Sequence, residues 1–217
     1  MKPLVERYAP KTIEEVKGQA EAVAQLETFN NFPSSKAFIF AGDTGTGKTT
    51  CARLLAEGLG VKVDEQELGG MFSIASGEQT GETVRERMRA LHSRPFFGSG
   101  WRVLVVNEAD CMTPNASMIW LDALENMPRD TVIIFTTNHI KKIQARLRDR
   151  CEVVYFESRA MFLQAEAKRM MQESGVKRDV RALPLHSMTW EPSTSKATSL
   201  SGVSCNCSIP MSVVLRW

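Results

Sequence analysis

Several features are scarce in this chain, and each scarcity closes off a class of function. No apolar run among its 217 residues reaches the ~20 residues that span a membrane. The N-terminal stretch MKPLVERYAPK lacks the apolar core of a signal peptide. Neither a membrane-spanning nor a secreted protein is therefore expected. The five cysteines are Cys51, Cys111, Cys151, Cys205 and Cys207, and only the last two are close in sequence. Neither a disulfide framework nor a zinc module is indicated, and a reducing compartment fits best: cytoplasm, nucleoid or nucleus. A net charge of +2 excludes a polycation, so any nucleic-acid binding must use a local patch. There is no internal repeat.

What is present points to an α/β fold. Apolar residues make up 43% of the chain, enough for a substantial core in one domain, or in one large domain and part of another. Five short β-prone runs recur: KAFIFAG (36–42), MFSIAS (71–76), RVLVVNE (102–108), TVIIFTTN (131–138) and CEVVYFE (151–157). Helical patterns lie between them at 47–59, 80–92, 115–126 and 140–147. Strands alternating with helices predict a five-stranded parallel sheet flanked by helices. A further helix is expected over 159–175, where Leu163, Ala167, Met170 and Met171 make an apolar stripe and Gly175 suits a cap.

Composition changes near residue 183. From Pro184 to Trp217 there are eight serines but only three charged residues, Glu191, Lys196 and Arg216. Two readings stay open. One is a flexible Ser-rich tail. The other is a truncated or frame-shifted end of a longer gene, because low charge with scattered Trp, Met, Cys and Val does not resemble a solvated linker.

The segment GDTGTGKTT (42–50) fits the phosphate-loop pattern G-x-x-x-x-G-K-[ST] at Gly42, Gly47, Lys48 and Thr49. It follows a strand and opens a helix, as the mechanism requires. Backbone N–H groups from Gly42, Asp43, Thr44, Gly45, Thr46, Gly47, Lys48, Thr49 and Thr50 would turn toward the phosphates of ATP, aided by the partial positive charge of the helix end. Lys48 would reach the β- and γ-phosphates, and the Thr49 hydroxyl would ligate Mg²⁺.

A second strand should then carry acids. In VLVVNEAD, Glu108 stands where a base polarising the attacking water belongs, and Asn107 stands where an acid facing Mg²⁺ belongs. An amide can still bond the water shell of Mg²⁺ but brings no negative charge. Weaker Mg²⁺ affinity is expected, rather than loss of nucleotide binding. Asp110 is expected to cap the next helix.

These segments, in order, resemble the AAA+ ATPase subunits of sliding-clamp loaders, particularly the small subunits of replication factor C and their archaeal and phage relatives. The likeness covers about residues 3–178. It is carried by ERYAPKTIEEVKGQ (6–19), GDTGTGKTT, IASGEQTGETVRERMRAL (74–91), VLVVNEADCMT (103–113), ASMIWLDALENMPRDTVIIFTTN (116–138) and ARLRDRC (145–151). The family usually reads Asp-Glu-Ala-Asp where this chain has Asn107 first, and Ser-Arg-Cys where this chain has Asp149, Arg150 and Cys151.

The resemblance implies an AAA+ P-loop domain over 1–157, the start of a helical lid over 158–183 and the atypical tail over 184–217. It implies an ATPase that assembles with other loader subunits in a ring. ATP binding would grip a sliding clamp and primer-template DNA, and hydrolysis would release them. Val5, Arg7, Tyr8 and Gly18 would line the adenine and ribose pocket. Asn138 would orient the attacking water. Arg150 would act in trans as an arginine finger, because a permanent charge on a rigid donor fork suits the transferring phosphoryl group.

Arg85 and Arg89 share a helical face and would contact DNA phosphates without sequence preference. An ordinary solvated face, with Glu82 and Glu86 as partners, is the plainer alternative. The pattern departs from the family beyond Asp179: no complete lid and no oligomerising collar follow. No cysteine-rich insert lies between Lys48 and Glu108. Two other functions remain open, a branch-migration type of AAA+ DNA motor and a nucleotide-binding interaction module that does not hydrolyse.

Overall fold

A computed structural model describes residues 8–158 and Arg169. Two compact units divide the chain, one of residues 10–158 and one of residues 1–9 with 159–217. The first contains the sheet. Val5, Arg7, the tail at 184–217 and, Arg169 apart, the helix expected over 159–175 lie outside the described residues.

Five strands form the sheet: β1 (Lys36–Gly42), β2 (Met71–Ile74), β3 (Arg102–Val106), β4 (Thr131–Thr137) and β5 (Glu152–Phe156). Every pairing is parallel, and the order is β2-β3-β4-β1-β5. The α/β class and the five parallel strands are as expected from the apolar runs. β3 and β4 are buried along their whole length, which is why they read as unbroken apolar runs and not as alternating ones.

Successive side chains nevertheless serve different layers. Phe38, Phe40, Val103, Val105, Val132 and Ile134 face a core completed by Leu26, Phe29, Leu54 and Leu55. Ile39, Leu104, Val106, Ile133 and Phe135 face a second core with Val84, Leu91, Trp120 and Leu147. Edge-to-face rings anchor both layers: Phe29 on Phe38 at 4.9 Å between centroids, and Trp120 on Phe135 at 5.0 Å.

The helices are α1 (Ala20–Asn31), α2 (Lys48–Gly58), α3 (Gly81–Leu91), α4 (Pro114–Glu125) and the single turn α5 (Ala145–Arg148). α1 was not foreseen, yet Ala22, Leu26 and Phe29 recur at helical spacing and bury one face. A 3-10 segment at Val63–Gly69 was also not foreseen. The helix expected over 140–147 divides into a 3-10 turn, Ile140–Lys142, and α5, because Ile143 and Gln144 take extended backbone. Ile143 and Leu147 are still both buried, so the apolar spacing that suggested one helix is satisfied by a bent chain.

Asp110 does not cap α4. Thr113 does, its hydroxyl accepting from the Ala116 N–H at 3.2 Å, with Pro114 in the first turn. Asp110 instead accepts a hydrogen bond from the Thr137 hydroxyl at 2.7 Å. Among the described residues no helix is long and apolar enough to cross a membrane.

Candidate active site

In an all-parallel sheet every strand delivers its C-terminal end to the same edge. Ligands bind there, at the point where the chain reverses its direction of winding. Here β1 lies between β4 and β5, so the loop after β1 emerges between the ends of those strands. That loop is residues 43–47.

Two glycines show why the loop tolerates little else. A Cβ on Gly42 would lie 2.2 Å from the Phe156 carbonyl oxygen, because β5 pairs directly alongside. Gly47 has φ 94°, the left-handed region, and open space where a Cβ would point. Gly47 also starts α2, with its carbonyl accepting from the Cys51 N–H at 2.8 Å. No side chain caps α2, whereas Thr80 caps α3 and Thr113 caps α4. The first N–H groups of α2 are thereby left for a ligand.

Lys48 is buried to 9% exposure. Its ammonium donates to the carbonyls of Gly42 at 2.8 Å and Asp43 at 2.7 Å, and to Asn138 Oδ1 at 3.0 Å. All three donors of the group are used. Burial holds its pKa below the ordinary lysine value, opposed by the negative charges of Asp43, Asp110 and Glu108. The bond to Asn138 joins the phosphate loop to the end of β4, so two residues expected at the site are in direct contact.

Glu108 follows β3 in the left-handed region, φ 50° and ψ 52°. That conformation is uncommon for a non-glycine residue and is held by its neighbours. Its N–H donates to Thr136 Oγ1 at 3.2 Å. The buried Gln79 side chain donates to the Asn107 carbonyl and, at 3.3 Å, to the Glu108 carbonyl. The Glu108 carboxylate accepts a short hydrogen bond from the Ser76 hydroxyl. Asn107 donates from its side-chain amide to the Ile74 carbonyl at 3.3 Å, leaving its Oδ1 as the group able to face a hydrated ion. The Ser76, Gln79 and Thr136 roles were missed in the sequence. Their signal was their placement at or just beyond the C-terminal ends of parallel strands.

Thr49 is exposed on the first turn of α2. Among the described residues no cluster of three His, Cys, Asp or Glu side chains would hold a metal. A Mg²⁺ held mainly by phosphate oxygens and water would find in Thr49 and Asn107 the oxygen donors to complete its surroundings.

Gly18 has φ 79° and precedes α1. Tyr8 belongs to the second unit. Arg150 donates to Glu125 Oε1 from Nη2 at 2.5 Å and from Nε at 3.2 Å, and to the Arg146 carbonyl at 3.1 Å. Arg85 and Arg89 are exposed on α3, and neither forms an ion pair among the described residues. Arg87, between them in sequence, pairs with Glu67.

Comparisons with known proteins agree with this geometry. Residues 38–159 match the family model described as ATPase family associated with various cellular activities (AAA). The replication factor C small subunit of Methanosphaera stadtmanae is 27% identical over 183 residues, covering 83% of this chain and 56% of that protein. The resemblance to clamp-loader subunits drawn from the motifs is borne out there. The chain spans about half the length of the curated relatives it matches.

Among solved structures, a DNA polymerase III gamma subunit-related protein of Thermotoga maritima is 20% identical with a TM-score of 0.57, over 72% of this chain and 55% of that one. The RuvB Holliday junction branch migration motor of the same organism is 18% identical with a TM-score of 0.59, over 80% and 57%. These two likenesses concern the fold alone. With more than half of its length matched by the family model, and with that match running from β1 through the phosphate loop and the acid strand to β5, the chain belongs to the AAA family of ATPases.

Proposed function

We propose that this chain binds ATP with Mg²⁺ at the phosphate loop and hydrolyses it as one subunit of a sliding-clamp loader. The observation that carries the reading is Lys48, buried beneath the loop and bonded to Asn138, with Glu108 close enough to influence its titration. Loop N–H groups and the Lys48 ammonium bind the triphosphate. Asn138 and Glu108 orient and polarise the attacking water, and Glu108 accepts its proton. For that, Glu108 must exchange the Ser76 hydroxyl for the water. Bound Mg²⁺ would neutralise charge on the phosphate oxygens, with the Thr49 hydroxyl as its ligand and Asn107 holding its water shell. Val5, Arg7, Tyr8 and Gly18 contact the adenosine.

Arg150 completes the site of the neighbouring subunit, leaving Glu125 when the ring closes. Arg85 and Arg89, which form no ion pair among the described residues, track DNA phosphates inside the ring. The clamp-loading part of the reading is supported by the relatives named replication factor C.

The test is phosphate release by the chain with partner subunits, clamp and primed DNA, alongside calorimetry of ATP with Mg²⁺. Binding in calorimetry that is lost in Lys48→Ala, with turnover raised by clamp and primed DNA together, supports the proposal. Stimulation by forked DNA without clamp favours a branch-migration motor. A second reading is favoured by Asn107, whose amide bonds the Ile74 carbonyl and brings no charge: a nucleotide-binding module that does not hydrolyse. Binding without turnover, unrestored by Asn107→Asp, identifies that outcome.

A further inference from the structure

Gln19 lies at the start of α1, where a polar side chain ordinarily caps its own helix. It does not do so here. Its side chain is buried to 9% exposure and reaches away to two other segments. Nε2 donates to the Glu157 carbonyl at 2.8 Å and to the Thr46 carbonyl at 3.3 Å, and Oε1 accepts from the Glu157 N–H at 2.9 Å. The orientation of the amide follows from its partners: two carbonyls require the nitrogen, and an N–H requires the oxygen.

The placement has a physical reason. β5 pairs with β1 only as far as Phe156 beside Gly42, because β1 then turns away into the phosphate loop. Glu157 is the next residue, beyond that register. Gln19 offers it the donor and acceptor that a peptide group would offer. The same nitrogen touches the carbonyl of Thr46, whose peptide supplies the N–H of Gly47. Rotating that peptide to present its N–H to a phosphate moves the Thr46 carbonyl by the same rotation, since the peptide is planar. Gln19 is thereby bonded both to the loop peptide and to the backbone at Glu157, the last residue but one of the unit.

We propose that Gln19 is a positioning residue that sets the Thr46–Gly47 peptide for phosphate binding and couples phosphate occupancy to the strand exit at Glu157. The coupling rests on nucleotide binding by the phosphate loop. It is tested on the full chain with Gln19→Met, which keeps volume and removes all three bonds, and with Gln19→Glu, which keeps the acceptor for Glu157 but loses both donors. Two quantities are read, ATP affinity by calorimetry with Mg²⁺ and amide hydrogen exchange at residues 156–158 with and without ATP.

In the unaltered chain ATP should change exchange at Glu157. In both variants affinity should fall about tenfold, the scale of one lost hydrogen bond to a well-placed group. In Gln19→Met the ATP-dependent change at Glu157 should disappear. A merely structural glutamine would raise exchange equally with and without ATP and leave affinity alone. That result, or unaltered affinity with the ATP response retained, overturns the proposal. If the unaltered chain binds ATP and both variants unfold on thermal melting, Gln19 is a folding residue and the proposal also fails. No ATP binding by the unaltered chain overturns the nucleotide reading itself, and the coupling with it.

Discussion

Lys48 illustrates what one side chain costs and supplies. An ammonium in this position is desolvated, and three acceptors compensate. Because burial lowers its pKa in the folded chain, the unfolded state holds that proton more tightly. Stability of the native chain relative to Lys48→Met should therefore rise as pH climbs toward the ordinary lysine value of 10.5. Paired denaturant titrations across that range measure the difference, and a flat or falling difference contradicts the sign. Glu108 supplies the second residue-scale expectation. Glu108→Gln keeps the shape but cannot accept a proton, so phosphate release should fall about 10²-fold while ATP affinity changes little. Single-turnover assays beside calorimetry separate the two quantities.

At the scale of elements, strands and helices meet the site through a few tight contacts. Gly42→Ala forces a Cβ toward the Phe156 carbonyl, where only 2.2 Å is available. Backbone must move, so the expected result is a lower melting temperature and weaker ATP binding together. A variant that melts normally and binds normally would mean that β5 yields without effect on the loop. Thr113→Ala removes the cap of α4 without touching the site. A loss of about 1 kcal/mol is expected, lowering the melting temperature by about 2–4 °C with ATP affinity unchanged. Thermal melts with and without nucleotide read both.

At the scale of the whole molecule, charge placement decides what the unit can meet. Among the described residues Arg85 and Arg89 form no ion pair, although Glu82 and Glu86 are within helical reach. The double change to Ala should weaken stimulation of ATP turnover by primed DNA and lessen the salt dependence of DNA binding, with calorimetric ATP affinity unchanged. Unchanged stimulation would return these residues to an ordinary solvated face. Arg150 shows the converse arrangement, a cation held by Glu125 on its own chain. Its proposed action on a neighbour requires giving up that pair, which is exposed and so costs little to break.

The sequence by itself determined the order of strands and helices and the place of the phosphate loop. Those depend on short-range periodicity and on glycines that no other residue replaces, as Gly42 and Gly47 show. It also placed Lys48 among the candidates through the phosphate-loop pattern, Glu108 through the acid strand and Asn138 through the resemblance to clamp-loader subunits. It did not reveal α1, whose stripe of Ala22, Leu26 and Phe29 is short, nor the bend at Ile143 and Gln144. Only tertiary structure decided that Asp110 meets Thr137, that Ser76 holds Glu108 and that Gln19 bridges Thr46 and Glu157. Each of these contacts joins segments 27 or more residues apart. The parallel sheet brings their strand ends to one edge, and local sequence carries no record of which ends become neighbours.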